Sequence, residues 1–172
     1  MPSASPDTFL SLWDFSLLHY ALPGVAEACL QLQDGHGANV NLLLWCVWLE
    51  QRGLVLDEVR LRNAQQRIHS WDEHYVIPLR HLRRRMKAEF GVADAAIEQL
   101  RTQIKQAELL AEKQLQLLLE AEVQVWSNDA ITSERPLVAG DNLRLYLGAL
   151  DVDETTVVRL LELLGGAPDS VV

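Results

Sequence analysis

The chain has 172 residues, 49% apolar and 23% charged, a balance typical of one globular domain that buries its core without disulfide staples. Its net charge of −9 at pH 7 repels phosphate backbones, so we expect no general nucleic-acid binding. Its longest wholly apolar run, Leu42 to Leu49, is far shorter than the roughly 20 residues of a membrane-spanning helix, so no transmembrane segment is expected.

The first predicted helix begins at Ser5-Pro6-Asp7 and runs to about Leu22, because Ser is a favoured N-cap and Pro suits the first helical position. Its inner face is predicted from apolar residues at steps of four, four and three: Phe9, Trp13, Leu17 and Tyr20. Phe15 and Leu18 are predicted to widen this face. A second helix, VAEACLQLQ, follows Pro23-Gly24, and the DGHG segment from Asp34 to Gly37 is predicted to be a turn.

The apolar run lies in a predicted central helix from Ala38 to Gln51. Asn39 precedes the run and Gly53 follows it, as N-cap and C-terminal residues of a helix do. A helix that is apolar on all sides belongs in the middle of a core.

The next predicted helix extends from an Asp57 N-cap through Trp71, and Pro78 is expected to break or kink the chain beyond it. Helix resumes in LRHLRRRMKAEF and ends before Gly91. Its predicted inner stripe has steps of three, four and four: Leu79, Leu82, Met86 and Phe90.

Asp94 is predicted to cap the longest helix, residues 94–126, which contains no Gly or Pro. An approximate heptad stripe follows Ile97, Leu100, Ile104, Ala107, Ala111, Leu115, Leu118, Ala121 and Val125. Further apolar residues lie off this stripe: Leu109, Leu110, Leu117, Leu119 and Val123. A polar loop from Ser127 to Val138 leads to a C-terminal helical hairpin over 139–165, in which Asp151 and Glu154 form a predicted capping box.

The pattern as a whole predicts an all-α fold. We expect a single domain over residues 1–172, a bundle of six to seven helices around the buried central helix, with one long helix. Residues 1–4 and 167–172 are expected to be disordered.

His69, Asp72 and Glu73 share one side of a helix and form the best candidate for a metal site or an acid–base pair. The alternative is a solvated helix face, because the sequence offers no second helix with a matching Glu-x-x-His motif. No metal and no cofactor are therefore predicted.

Basic residues cluster in an otherwise acidic chain at Arg80, Arg83, Arg84 and Lys87. Such a face could bind a phosphate, an acidic lipid headgroup or an acidic partner. Alternatively, it neutralises the acidic long helix of the same molecule.

Cys29 and Cys46 lie among apolar residues, and no segment typical of a signal peptide opens the chain. We therefore expect a cytoplasmic protein with reduced, buried thiols, with a disulfide between the two as the alternative. No motif identifies a nucleophile, so whether the protein is an enzyme stays open, with a non-enzyme favoured.

The segment FLSLWDFSLLHYALPGVAEACLQLQDGHGANVNLLLWCVWL and the basic IPLRHLRRRMK resemble the signature of an uncharacterised family of short bacterial proteins. The resemblance covers about the first 90 residues. It implies a small, all-helical bacterial protein and carries no established function.

The favoured hypothesis is a non-enzymatic protein–protein interaction or regulatory module, binding a protein partner or associating with itself. Its predicted contact residues are Arg80, Arg83, Arg84, Lys87, Ile97, Ile104, Leu115, Leu118 and Val125. The alternative is a small-molecule or lipid-binding helical pocket lined by Trp13, Tyr20, Trp45, Trp48 and Trp71. A metal-dependent enzyme using His69, Asp72 and Glu73 is the third hypothesis.

Overall fold

The computed structural model describes residues 10–126 and 138–165, which contain α-helices and no strand, as predicted. A π-helical stretch joins α4 to α5 without a break, so the described helices form seven separate rods. The segments are α1 Leu12–Tyr20, α2 Val25–His36, α3 Val40–Gln51, α4 Glu58–Trp71, the π segment Asp72–Val76, α5 Ile77–Phe90, α6 Ala95–Gln124, α7 Asp141–Gly148 and α8 Glu154–Gly165. The predicted disordered ends and most of the predicted loop after Ser127 lie outside the described residues.

The helices group into two compact units. The first unit comprises residues 1–61 and 126–172 and contains α1–α3, the beginning of α4, α7 and α8. The second unit comprises residues 62–125 and contains the rest of α4, the π segment, α5 and α6.

Helix α3 is the buried helix of the first unit, as predicted. The side chain of Asn39 caps it by accepting hydrogen bonds from the backbone N–H groups of Asn41 and Leu42. Trp45, Cys46 and Leu49 are fully buried, and α1, α2 and α7 pack around the helix. An apolar surface on every side requires neighbours on every side, which explains why one helix contacts three others.

Polar side chains attach α7 to the end of α3. The Glu50 carboxylate accepts hydrogen bonds from the backbone N–H groups of Gly140 (2.7 Å) and Asn142 (2.8 Å), at the N-terminus of α7. Burial raises the pKa of Glu50, and these backbone donors oppose that rise. A carboxylate is stabilised at this end of a helix by unpaired N–H groups and the helix dipole, so Glu50 substitutes for a local cap.

The predicted inner face of α1 is wrong at Leu17 and Leu18, which are exposed, whereas Phe15 is buried as predicted. Helix α1 begins at Leu12 with Ser11 as its N-cap, and its buried residues are Leu12, Phe15, Ser16 and His19. Leu17 is 52% exposed, although it belongs to the predicted inner face. Both sides of this helix are apolar in sequence, so spacing alone cannot tell which side packs. Ser5 and Phe9, at the predicted start, lie outside the described residues.

Two predicted helix ends are also corrected. Residues 34–36 belong to α2 rather than to a turn, and Gly37 ends the helix with a φ of 68°. At α8, Asp153 rather than Asp151 accepts a hydrogen bond from a backbone N–H, that of Thr156 at 3.0 Å. Asp151 has a positive φ of 55° and lies two residues before Asp153, which directly precedes the helix.

In the second unit, α4 and α5 are joined through the π segment that precedes Pro78. Proline has no N–H and its ring clashes with the preceding turn, so the ordinary hydrogen-bond pattern cannot run through it. The N–H of Ile77 bonds to the carbonyl of Asp72, five residues earlier, and the helix continues in a wider turn rather than ending. On α5, Met86 is buried as predicted, whereas Phe90 is 53% exposed and does not belong to the inner stripe.

Asp94 caps α6 as predicted, accepting from the N–H groups of Ala96 and Ile97. The helix has 30 residues. Within the described residues, no helix combines the length and the apolar character needed to cross a bilayer.

Candidate interaction surface

The long helix α6 turns one face toward α5 and the π segment. Leu115 and Leu119 are fully buried on this inner face, and Ala111 is buried one helical turn before Leu115. The indole N–H of Trp71 donates to the carbonyl of Ala111 at 2.9 Å, which attaches the end of α4 to the same face. The inner face of α6 therefore packs within its own unit and is not accessible to a partner.

Two arginines of the basic cluster pair with acidic residues of this inner face. Arg80 contacts Glu108 at 3.3 Å and Glu112 at 2.7 Å, and Arg83 contacts Glu108 at 2.5 Å. Glu108 is buried, so its charge requires such partners. Of the two interpretations of the basic cluster, these pairs match neutralisation within the molecule. Arg84 and Lys87 are exposed on α5.

The outward face of α6 carries exposed leucines. Leu110 is 69% exposed, Leu100 is 55% and Leu117 is 49%. They belong to a run of positions spaced alternately by four and three residues, which we call the outer stripe: Ala96, Leu100, Gln103, Ala107, Leu110, Gln114, Leu117 and Ala121. No residue of the outer stripe is charged, whereas α6 as a whole carries eight charged side chains.

The outer stripe differs from the stripe predicted from the sequence. Of the predicted contact residues on α6, Leu115 is fully buried and therefore unavailable to a partner in the folded chain. Ile97, Ile104 and Leu118 are half-buried beside the outer stripe, and Val125 is 66% exposed. In the sequence, Leu110 and Leu117 stand out only as extra apolar residues. The absence of charge does not distinguish the outer stripe from the predicted stripe, because neither of them contains a charged residue.

The residues predicted to line a pocket are divided between the two units. Trp13 and Tyr20 are half-buried on α1, and Trp48 is buried with its indole N–H donating to the carbonyl of Leu10 at 3.0 Å. Trp45 is fully buried, and its indole nitrogen has no hydrogen-bond partner among the described residues. Trp71 belongs to the second unit and bonds to α6.

His69, Asp72 and Glu73 do not form a metal centre. His69 lies 3.2 Å from Glu73, and both side chains are exposed. Among the residues that the structure describes, no group of three His, Cys, Asp or Glu side chains is arranged to hold a metal ion. The pair is a solvated contact one helical turn apart.

Both cysteines are buried free thiols, so the alternative of a disulfide between them is not realised. Burial raises the pKa of Cys29 to about 12 and also raises the pKa of Cys46. A thiol in this state is not a nucleophile at neutral pH.

The chain matches the model of a protein family. A family model described as "Protein of unknown function (DUF2390)" matches residues 11–119, which is more than half of the chain. No curated protein and no solved structure matches.

Proposed function

Since the chain belongs to this family, whose description names no activity, we propose from its own residues that it is a non-enzymatic protein–protein interaction module. The outer stripe of α6 is the docking surface, and its partner is another amphipathic helix. The observation that carries the proposal is the uncharged outer stripe with Leu100, Leu110 and Leu117 half-exposed or more. A row of this kind commonly binds the apolar face of a second helix.

The distribution of charge along α6 supports this choice. Glu108, Glu112 and Glu122 lie toward the inner side, where they pair with arginines of the same unit. A solvated helix that had no partner would carry charged residues on its outward face. The outward face of α6 instead has no charged residues and exposes leucine side chains to water. Exposed apolar surface is unfavourable in free energy, and a partner that covered it would remove this cost.

The basic cluster contributes less than its composition suggests. Arg80 and Arg83 are used by the fold, whereas Lys87 is exposed on α5. Lys87 is proposed as a secondary contact.

A photocrosslinking experiment in cells tests the docking surface. A benzophenone amino acid replaces Leu110 in one variant and, as a control, Lys105 in another. Lys105 is exposed on the same helix, about 140° around its axis from Leu110 at 3.6 residues per turn. We expect a discrete protein adduct from position 110 and none from position 105. No adduct at position 110, or the same adducts at both positions, would overturn the proposal.

A cytoplasmic location is proposed with it. Cys29 and Cys46 are unpaired with each other, and free thiols are kept in reducing compartments. A bacterial source remains an expectation from the family resemblance.

A further inference from the structure

The outer stripe has an internal symmetry that points to one kind of partner. Its residue types, taken in order, are Ala, Leu, Gln, Ala, Leu, Gln, Leu and Ala. When two outer stripes are aligned in opposite directions, the same residue type faces itself at six of the eight positions: Ala faces Ala, Leu faces Leu and Gln faces Gln. The two central positions place Ala107 against Leu110. A two-fold symmetric dimer requires a surface that matches its own copy in this way.

We propose that the outer stripe of α6 binds the outer stripe of a second copy of this chain, with the two helices antiparallel. The inference rests on the proposed function, because it identifies the partner of the same surface. The two-fold axis passes between Ala107 and Leu110. Across it the pairs are Ala96 with Ala121 of the second copy, Leu100 with Leu117, Gln103 with Gln114, and Ala107 with Leu110.

The glutamines fix the alignment. A primary amide has both donors and an acceptor, so Gln103 and Gln114 of opposing copies can hydrogen-bond to each other. A polar residue within an apolar helix interface disfavours every register that leaves it facing an apolar side chain. Sliding one helix by a heptad would place glutamines opposite alanine and leucine, with their amide groups unsatisfied.

The rows beside the outer stripe are compatible with this register. On one side, Ile97 comes near Leu118 of the second copy. Both residues belong to the contacts predicted from the sequence. On the other side, Gln99 comes near Glu120 of the second copy, and Gln106 comes near Lys113. No pair of like charges is brought together, which matters because each copy carries a net charge of −9.

The antiparallel direction is favoured over the parallel one for two reasons. Antiparallel packing places Ala107 against Leu110, so a small and a large side chain share each central layer, whereas parallel packing would place Ala107 against itself and leave a gap. The dipoles of antiparallel helices also attract rather than repel each other.

The size of the stripe sets the expected strength. From Ala96 to Ala121 the helix is about 38 Å long. A contact strip of this length and about 10 Å wide has an area of about 400 Å² on each copy. The two copies together would cover about 800 Å², less than the roughly 1,200 Å² of a stable interface, so the dimer should be weak, reversible and dependent on protein concentration. Since both copies are acidic, added salt should strengthen the association by screening their repulsion.

Engineered disulfides test the inference with the full chain. Leu100→Cys and Leu117→Cys are prepared separately and oxidised either alone or as a mixture; Cys29 and Cys46 are buried and do not compete. We expect a disulfide-linked dimer from the mixture and only monomer from each variant alone, because in the antiparallel pair each engineered thiol faces the other position. A dimer from either variant alone would overturn the antiparallel arrangement.

A charge variant supplies the second measurement. Leu110→Glu places a carboxylate next to the two-fold axis, and we expect it to weaken self-association by about tenfold or more, because a charge buried without a partner is costly. Lys105→Glu on the same helix is the matched control and should leave association unchanged. Sedimentation of the unmodified chain as a monomer up to high concentration would overturn the self-association. If the photocrosslink at position 110 then joins a different protein, the docking surface stands and only the second copy is excluded.

Discussion

The backbone N–H of Leu56 donates to the side-chain oxygen of Asn142 across 2.8 Å, joining residues that are 86 positions apart in the chain. The amide nitrogen of Asn142 donates in turn to the carbonyls of Leu54 (2.9 Å) and Cys46 (3.4 Å). Asn142 is fully buried, so one side chain satisfies the backbone of the connector after α3 while holding α7. Buried backbone groups need such partners, because water cannot reach them.

Asn142→Ala should therefore destabilise the fold strongly. The substitution leaves the backbone N–H of Leu56 and the carbonyl of Leu54 without this partner, and we expect a loss of about 2–4 kcal/mol in the free energy of unfolding. Denaturant unfolding followed by tryptophan fluorescence measures it. Asn63→Ala is the control, because Asn63 is exposed on α4 and its removal should change stability by less than about 0.5 kcal/mol. Equal effects of the two substitutions would contradict the assigned role.

Much of the helical framework could be predicted from local sequence. Asn39 and Asp94 cap the helices they were expected to cap, since a cap depends on a side chain and the next two or three N–H groups. The apolar run before Glu50 is recognisable as a buried helix because no face of it is polar. These features require no knowledge of what packs against them.

The contacts that organise each unit could not be predicted in the same way. Glu50 bonds to α7 across 90 residues, and Arg83 bonds to Glu108 across 25, and no local pattern identifies such partners. The inner face of α1 was predicted only in part for a related reason. Both sides of the helix carry apolar residues, and the neighbouring helices decide which side packs. The candidate surface is predicted only in part. The leucines of α6 can be recognised in the sequence, but which of them face outward is decided by the packing of α6 against α5.

Gly140→Ala tests the close approach at the start of α7. Gly140 has a φ of 88°, and an added Cβ would lie 2.5 Å from Cδ1 of Leu161. Gly53 also has a positive φ of 68°, but nothing lies within 4 Å of the corresponding Cβ position. We expect Gly53→Ala to cost about 1–2 kcal/mol from backbone strain alone. Gly140→Ala should cost more, and thermal unfolding of the two variants would reveal the difference; a smaller effect at Gly140 would refute the steric argument.

The carboxyl of Glu112 should give the unfolding free energy a specific pH dependence. Burial raises its pKa above the ordinary 4.5, against the opposing effect of the Arg80 guanidinium. The folded state therefore binds this proton more tightly than the unfolded state, and its contribution to stability is present below pH 4.5 and lost as pH rises through the raised pKa. Glu112→Gln cannot titrate. As the pH rises from 4.5 through the raised pKa of Glu112, we expect the free energy of unfolding of the parent chain to fall relative to that of this variant. Above the raised pKa the difference should stay constant.

Two leucines separated by two positions test which face of α6 is the inner one. Leu115→Ala removes a fully buried side chain and should cost about 2–5 kcal/mol, because the cavity cannot close completely. Leu117→Ala removes a half-exposed side chain of the outer stripe and should change the stability of the monomer by less than about 0.5 kcal/mol. Chemical unfolding at low protein concentration separates this effect from association. A large loss at position 117 under those conditions would mean that its own chain covers the outer stripe.

The reactivity of the two thiols provides an independent test of the first unit. Cys29 and Cys46 are fully buried, and burial raises the pKa of Cys29 to about 12, so almost no thiolate exists at neutral pH. A chromogenic disulfide reagent should leave the native protein unlabelled and should label both thiols once denaturant unfolds the chain. Because reaction then requires opening of α2 and α3, its rate should rise in Asn142→Ala in proportion to the lost stability, provided that the opened chain recloses faster than it reacts. Fast labelling of the native parent chain would show that the helices around α3 do not exclude the reagent.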